Sequence, residues 1–387
     1  MSSETRLVIA LCRTPLSESA RRLALELATA ELSWDRVFGV AAAFEVEPVF
    51  FSNLGSLRGT GIPDSIIEQS SVRAREARAL ALARTLVAVQ LGNGLEAAGI
   101  PVLVLKGPAV GVMGYGDPSL RSYQDIDLLV TPEALPLARD VLLGLGYSQD
   151  YLPASETLLI DGDHALEFTG PGSRVELHGA LIERHLRFDL GRDELWRDAV
   201  TVACAGGEIK VLDGPRLLLF LCAHGTKHEW SRLRWICDVA QVADRLSPEE
   251  AARAFAMAEK VHAKKILATG LRLARDVLGQ SLDHFPKAAA RSDSSTDWIV
   301  DHALRQLGIG DTVQRPNWLA RIEPGAQSLI FWGRTRERWV DRIICVGRVF
   351  FVPTAADGSN GGLAWITRPF RLSLRFARRA LGSKAGN

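Results

Sequence analysis

Two carboxylates two residues apart, Asp125 and Asp127, sit in the run Asp125-Ile126-Asp127-Leu128-Leu129-Val130. The run reads as a strand, and strand residues two apart project from one face. Asp125 and Asp127 therefore share a face, while Ile126 and Leu128 point into the core. Side-by-side carboxylates repel each other and are costly unless solvated or sharing a cation. Hard oxygen ligands at this spacing suit Mg²⁺, which takes one or two carboxylates plus substrate phosphates. Upstream, the apolar run Val102-Leu103-Val104-Leu105 stops at Lys106-Gly107-Pro108. Pro108 suits a first helical turn, so the chain is expected to pass from a buried strand through Lys-Gly into a helix N-terminus. Such a terminus presents N–H groups and a positive dipole end to an anion.

Further candidates follow downstream. His164 to Thr169 and Arg174 to His178, with a turn at Pro171-Gly172, read as a hairpin. Glu176 lies between Val175 and Leu177 and faces opposite to them, with His178 on its own face. Glu176 is the candidate for a third acid, and Glu167 competes with it. A helix is expected from Pro215 or Arg216 to His224. If it continues, His224, Lys227 and His228 fall at i, i+3 and i+4 and share a face. That cationic face could take a triphosphate, or it could be purely structural. The Glu of His-Glu-x-x-His is missing, which argues against a zinc protease site.

The combination resembles the DNA polymerase β-like nucleotidyltransferase superfamily. In detail it is similar to a bacterial uncharacterised nucleotidyltransferase family whose motif reads Leu-Lys-Gly, then Tyr, Arg and Asp-Ile-Asp-Leu-Leu-Val. The matching residues are Leu105-Lys106-Gly107, Tyr115, Arg121 and Asp125 to Val130, followed by Glu176-Leu177-His178. Lys106-Gly107 stands where the superfamily usually has Gly-Ser, and Glu176 replaces the more common Asp. The resemblance implies an α+β fold: a small mixed β-sheet core flanked by N-terminal and C-terminal helical regions. It also implies Mg²⁺-dependent transfer of a nucleoside monophosphate from an NTP, ATP foremost, to a hydroxyl or similar acceptor on a small molecule, peptide or protein. Asp125, Asp127 and Glu176 would be the catalytic acids and hold one or two Mg²⁺ ions. Lys106, Gly107, Arg121, His178, His224, Lys227 and His228 would contact the nucleotide. Two alternatives stay open, a kinase-like γ-phosphoryl transferase and a non-catalytic nucleotide- or partner-binding protein. No Walker A pattern or kinase signature set supports the first.

The elements that must position these residues fill a chain of 387 residues, 47% hydrophobic and 24% charged, as in ordinary globular proteins. Four regions are expected: helical 1–98, the nucleotidyltransferase core 99–213, helical 214–332 completing the cleft, and a basic tail 333–387. A net charge of +1 argues against a long nucleic acid partner. Five scattered cysteines without a Cys-x-x-Cys pair suggest a reducing compartment and no structural zinc. Leu7 to Cys12 is too short for a secretory signal, and no apolar stretch reaches membrane-spanning length, so a cytoplasmic protein is expected. After Asp357 the tail has no acid but carries Arg368, Arg371, Arg375, Arg378, Arg379 and Lys384. It is expected to dock on the protein, with weak membrane-surface contact as the alternative.

Overall fold

The computed structural model describes residues 1–28, 32–150, 165–182, 188–291, 293–309 and 324–351. The arginines expected in the basic tail lie outside the described residues. Five strands form one mixed sheet in the order β1-β2-β5-β4-β3. They are β1 Leu103–Val104, β2 Asp125–Leu129, β3 Ser148–Gln149, β4 Leu166–Gly170 and β5 Ser173–His178. Strand β2 runs parallel to β5, and the register sets Asp127 beside Glu176 and Leu129 beside His178. Strands β4 and β5 form the expected hairpin, with Glu167 opposite Glu176.

Alternation then sorts the side chains. Ile126, Leu128, Phe168, Val175 and Leu177 bury themselves in one apolar core with Ala88, Leu91 and Leu95 of the long helix Asp64–Ala97. Leu142, from the helix Leu135–Gly144, completes that layer. The opposite face carries the acids. A hairpin of β6 (Val200–Cys204) and β7 (Gly207–Val211) forms a separate two-stranded sheet against β1 and the helix Asp64–Ala97.

The helices on the acidic side share a second core. Leu7 and Phe50, from the N-terminal helices Ser3–Leu11 and Glu47–Gly55, pack there together with Leu218, Ile236 and Leu267. Those three belong to the helices Gly214–Lys227, Leu233–Arg245 and Lys264–Leu278. Leu105 and Leu129 join the same core, so the helical body covers the far end of the acidic face. Asp213 caps Gly214–Lys227 by accepting from the Arg216 N–H, with Pro in the first turn. The expected start signal at Ser247 is a full capping box with Glu250.

Trp230 is completely buried at the centre of this body. A Cβ at Gly225 would lie 2.5 Å from its ring, so the helix approaches the indole as only glycine allows. Gly225→Ala is expected to cost about 1–3 kcal/mol through overpacking. The check is a lower urea midpoint at unchanged slope. Gly39→Ala, on an exposed helical position with nothing within 4 Å of the added Cβ, should be neutral or stabilising.

Candidate active site

The acidic face forms one wall of a cleft of about 570 Å³, and the end of Gly214–Lys227 with the start of Leu233–Arg245 forms the other. Asp127 lies at the centre with 1% exposure. Its Oδ1 is 2.6 Å from Lys106 Nζ and 3.3 Å from His178 Nε2, which is itself 3.4 Å from Glu176 Oε2. Burial alone would push the Asp127 carboxyl up, but Lys106 and His178 hold it well below the usual carboxylate range. His178 donation keeps Glu176 low as well. Asp125 goes the other way: burial raises it, reinforced by the charges of Asp127 and Glu176. The carboxylate cluster thus carries repulsion that Lys106 relieves only in part.

Among the described residues, Asp127, Glu176 and His178 are the group that could hold a metal ion, their ligand atoms all within 4.8 Å. Two carboxylates fit a hard divalent cation, and the imidazole extends the choice from Mg²⁺ towards Mn²⁺ or Zn²⁺. His178 was expected at the nucleotide rather than at the metal. Asp125 was expected as a ligand; it lines the cleft next to this group without belonging to it. Glu167 points the same way as Glu176 but sits one strand further out, 3.4 Å from Arg174 and largely exposed. The geometry therefore sets Glu176, not Glu167, beside Asp127.

The Lys-Gly turn differs from expectation in detail. The helix it enters is one α-turn, Pro108–Val110, followed by a π-helical turn Gly111–Tyr115. Of its first-turn donors, Pro108 has no N–H and the Ala109 N–H already bonds to the Lys106 carbonyl. An anion would find fewer open donors there than at an ordinary helix start. Gly107 has φ of 56°, and a Cβ would lie 3.0 Å from the Tyr123 ring. Glycine is needed there for conformation and for that packing.

Arg121 also has a different setting from the one expected. It is 3% exposed and grips Asp238 through Nε at 2.9 Å and Nη2 at 2.8 Å, while Tyr115 Oη donates to the same carboxylate at 3.1 Å. Two motif residues thus bolt the helix Leu233–Arg245 to the segment preceding β2. Only Nη1, buried and without a hydrogen-bond partner, is left to reach a phosphate.

His224 and Lys227 end their helix, His228 follows as its C-cap, and all three line the cleft. His228 stacks on Trp235 with centroids 5.0 Å apart, and His224 meets the same ring edge-on at 5.6 Å. Burial, with Lys106 adding its charge, holds His224 well below its ordinary range, so it is neutral at pH 7. No described group pairs these histidines for zinc.

Glu45 was missed by the sequence reading. It lines the cleft in the left-handed region, φ 57°, and pairs with Arg232 and with Arg234 at 2.8 Å. Burial, then the neighbouring Arg121, lowers Arg234 to about 10. Glu45 carries no sequence signal, because it lies 80 residues before Asp125 within a run of helical pattern.

The cleft thus sets a sheet bearing adjacent acids against a cationic and aromatic helical wall. The family model described as an uncharacterised nucleotidyltransferase matches residues 30–279, and the chain belongs to that family. The protein is therefore a transferase, and every candidate site residue falls within the matched span. Neither a curated protein nor a solved structure matches the chain. No described helix is long and apolar enough to cross a membrane.

Proposed function

We propose that the protein transfers a nucleoside monophosphate from an NTP, ATP foremost, to a hydroxyl or similar acceptor on a small molecule, peptide or protein, with Mg²⁺ as cofactor. The observation that carries this reading is the adjacency of Asp127, Glu176 and His178 across parallel strands, in a chain of a nucleotidyltransferase family. Asp127 and Glu176, with His178 or Asp125, would hold the divalent cation. When bound, that ion would neutralise phosphate charge and acidify the acceptor hydroxyl. The chain's own groups do the rest. Lys227, on the wall facing the acids, supplies positive charge suited to the β- and γ-phosphates, with Arg232, which pairs with Glu45, beside it. His228, exposed and backed by the stacked Trp235, offers a flat surface for a base. The rigid sheet holds the acids in register, which matters because phosphoryl chemistry depends on positioning and charge compensation.

Labelled ATP tests the reading directly. Transfer of α-label to an acceptor pool with release of pyrophosphate is the expected result. Transfer of γ-label alone would replace it with a kinase-like activity, and transfer of neither across acceptor pools would favour a binding protein. Lys227→Ala is expected to raise KM for the NTP about tenfold, as loss of a charge-assisted contact worth about 1.5 kcal/mol, with a smaller effect on kcat. Steady-state kinetics on the α-label assay check it.

A further inference from the structure

We infer that Lys106 stands in the place of a second metal ion, so that this site takes one divalent cation rather than two. The inference rests on the nucleotidyltransferase reading above and deepens it.

The ammonium is not a surface charge that happens to lie near an acid. Lys106 lies two residues beyond β1, and the preceding Leu105 N–H bonds to the Asp127 carbonyl at 3.0 Å, so the backbone entering Lys106 is tied across from Asp127. Gly107, in its left-handed conformation against the Tyr123 ring, fixes the exit of the chain on the other side. Between these anchors the side chain, 14% exposed, delivers Nζ to 2.6 Å from Asp127 Oδ1. A dication bridging Asp125 and Asp127 would need to sit within a few ångströms of that ammonium. Like charges at such distances repel strongly in a partly buried site.

Charge balance points the same way. Asp125, Asp127 and Glu176 bring three negative charges, and Lys106 cancels one. With His178 neutral, as a ligand must be, a single divalent cation balances the remainder. A second would leave this cluster of three acids and one lysine with a net positive charge, and the described residues offer one metal group, Asp127, Glu176 and His178. Asp127, Glu176 and His178, whose ligand atoms lie within 4.8 Å of one another, would hold that single ion.

The test counts ions rather than turnover. Mn²⁺ is titrated into the full chain without nucleotide, and the free ion is read by electron paramagnetic resonance. The wild type is expected to bind one Mn²⁺, Lys106→Met two, and Lys106→Arg one, because Arg restores the charge. Thermal melting by circular dichroism checks that each variant is folded. Two ions in the wild type overturn the inference even if Lys106→Met does not fold. One ion in a folded Lys106→Met protein also overturns it. No binding by the wild type removes the metal reading itself, and the inference with it.

Discussion

Asp127→Asn is expected to remove transfer activity by about 1,000-fold or more while leaving a folded protein. Asp127 is the carboxylate on which Lys106 and His178 converge and the common member of the metal group. The amide keeps the shape and one acceptor oxygen, but loses the charge that would hold a cation. Metal assistance supplies several kcal/mol, and each 1.36 kcal/mol is tenfold in rate, so about three decades are at stake. The α-label assay measures the loss, and a melting curve shows whether the fold survives. Activity within tenfold of wild type would remove Asp127 from the chemistry. Glu167→Gln, on a carboxylate paired with Arg174 at the rim, should stay close to wild type.

The second large effect concerns stability. Asp238→Asn is expected to destabilise the protein by about 3–5 kcal/mol, since it leaves the Arg121 charge buried without its partner. Asp238 is fully buried and accepts from both Arg121 and Tyr115. Arg121→Lys should also be costly, because a lysine cannot reproduce the two-pronged contact. The double replacement Arg121→Met/Asp238→Leu should recover much of the loss, as apolar groups replace a whole pair more easily than half of one. Urea titrations of these proteins, together with the single variants Arg121→Met and Asp238→Leu that complete the cycle, decide this. An additive double variant would mean that the pair does not act as a unit.

What could be read from the sequence was local. Alternation around Ile126 and Leu128 placed Asp125 and Asp127 on one face, and alternation around Val175 and Leu177 did the same for Glu176 and His178. The hairpin and the cap at Ser247 are also short-range patterns. The motif Arg121 was visible too, but not its partner, which lies 117 residues further on. Glu45 depends on a single left-handed residue between helices, which no periodicity announces. The π-helical turn after Pro108 escaped for a related reason. Its extra residue is accommodated by packing of Gly111 against Pro118 and Gly114 against Val242, contacts that exist only in the folded chain.

The single core shared by Leu7, Phe50, Leu218 and Ile236 bears on how the protein can be shortened. A fragment beginning at residue 99 would retain Asp125, Asp127 and Glu176, yet expose the apolar surface that Leu7 and Phe50 cover. It would also lose the helix Asp64–Ala97, which seals the other side of the sheet. Each buried aliphatic or aromatic side chain left uncovered forfeits about 1.5–3 kcal/mol, and domains are stable by only about 5–15 kcal/mol. Deletion mapping from the N-terminus should therefore give insoluble protein well before it reaches the motif. Loss of activity in such deletions would report on folding, and says nothing about which residues touch the nucleotide.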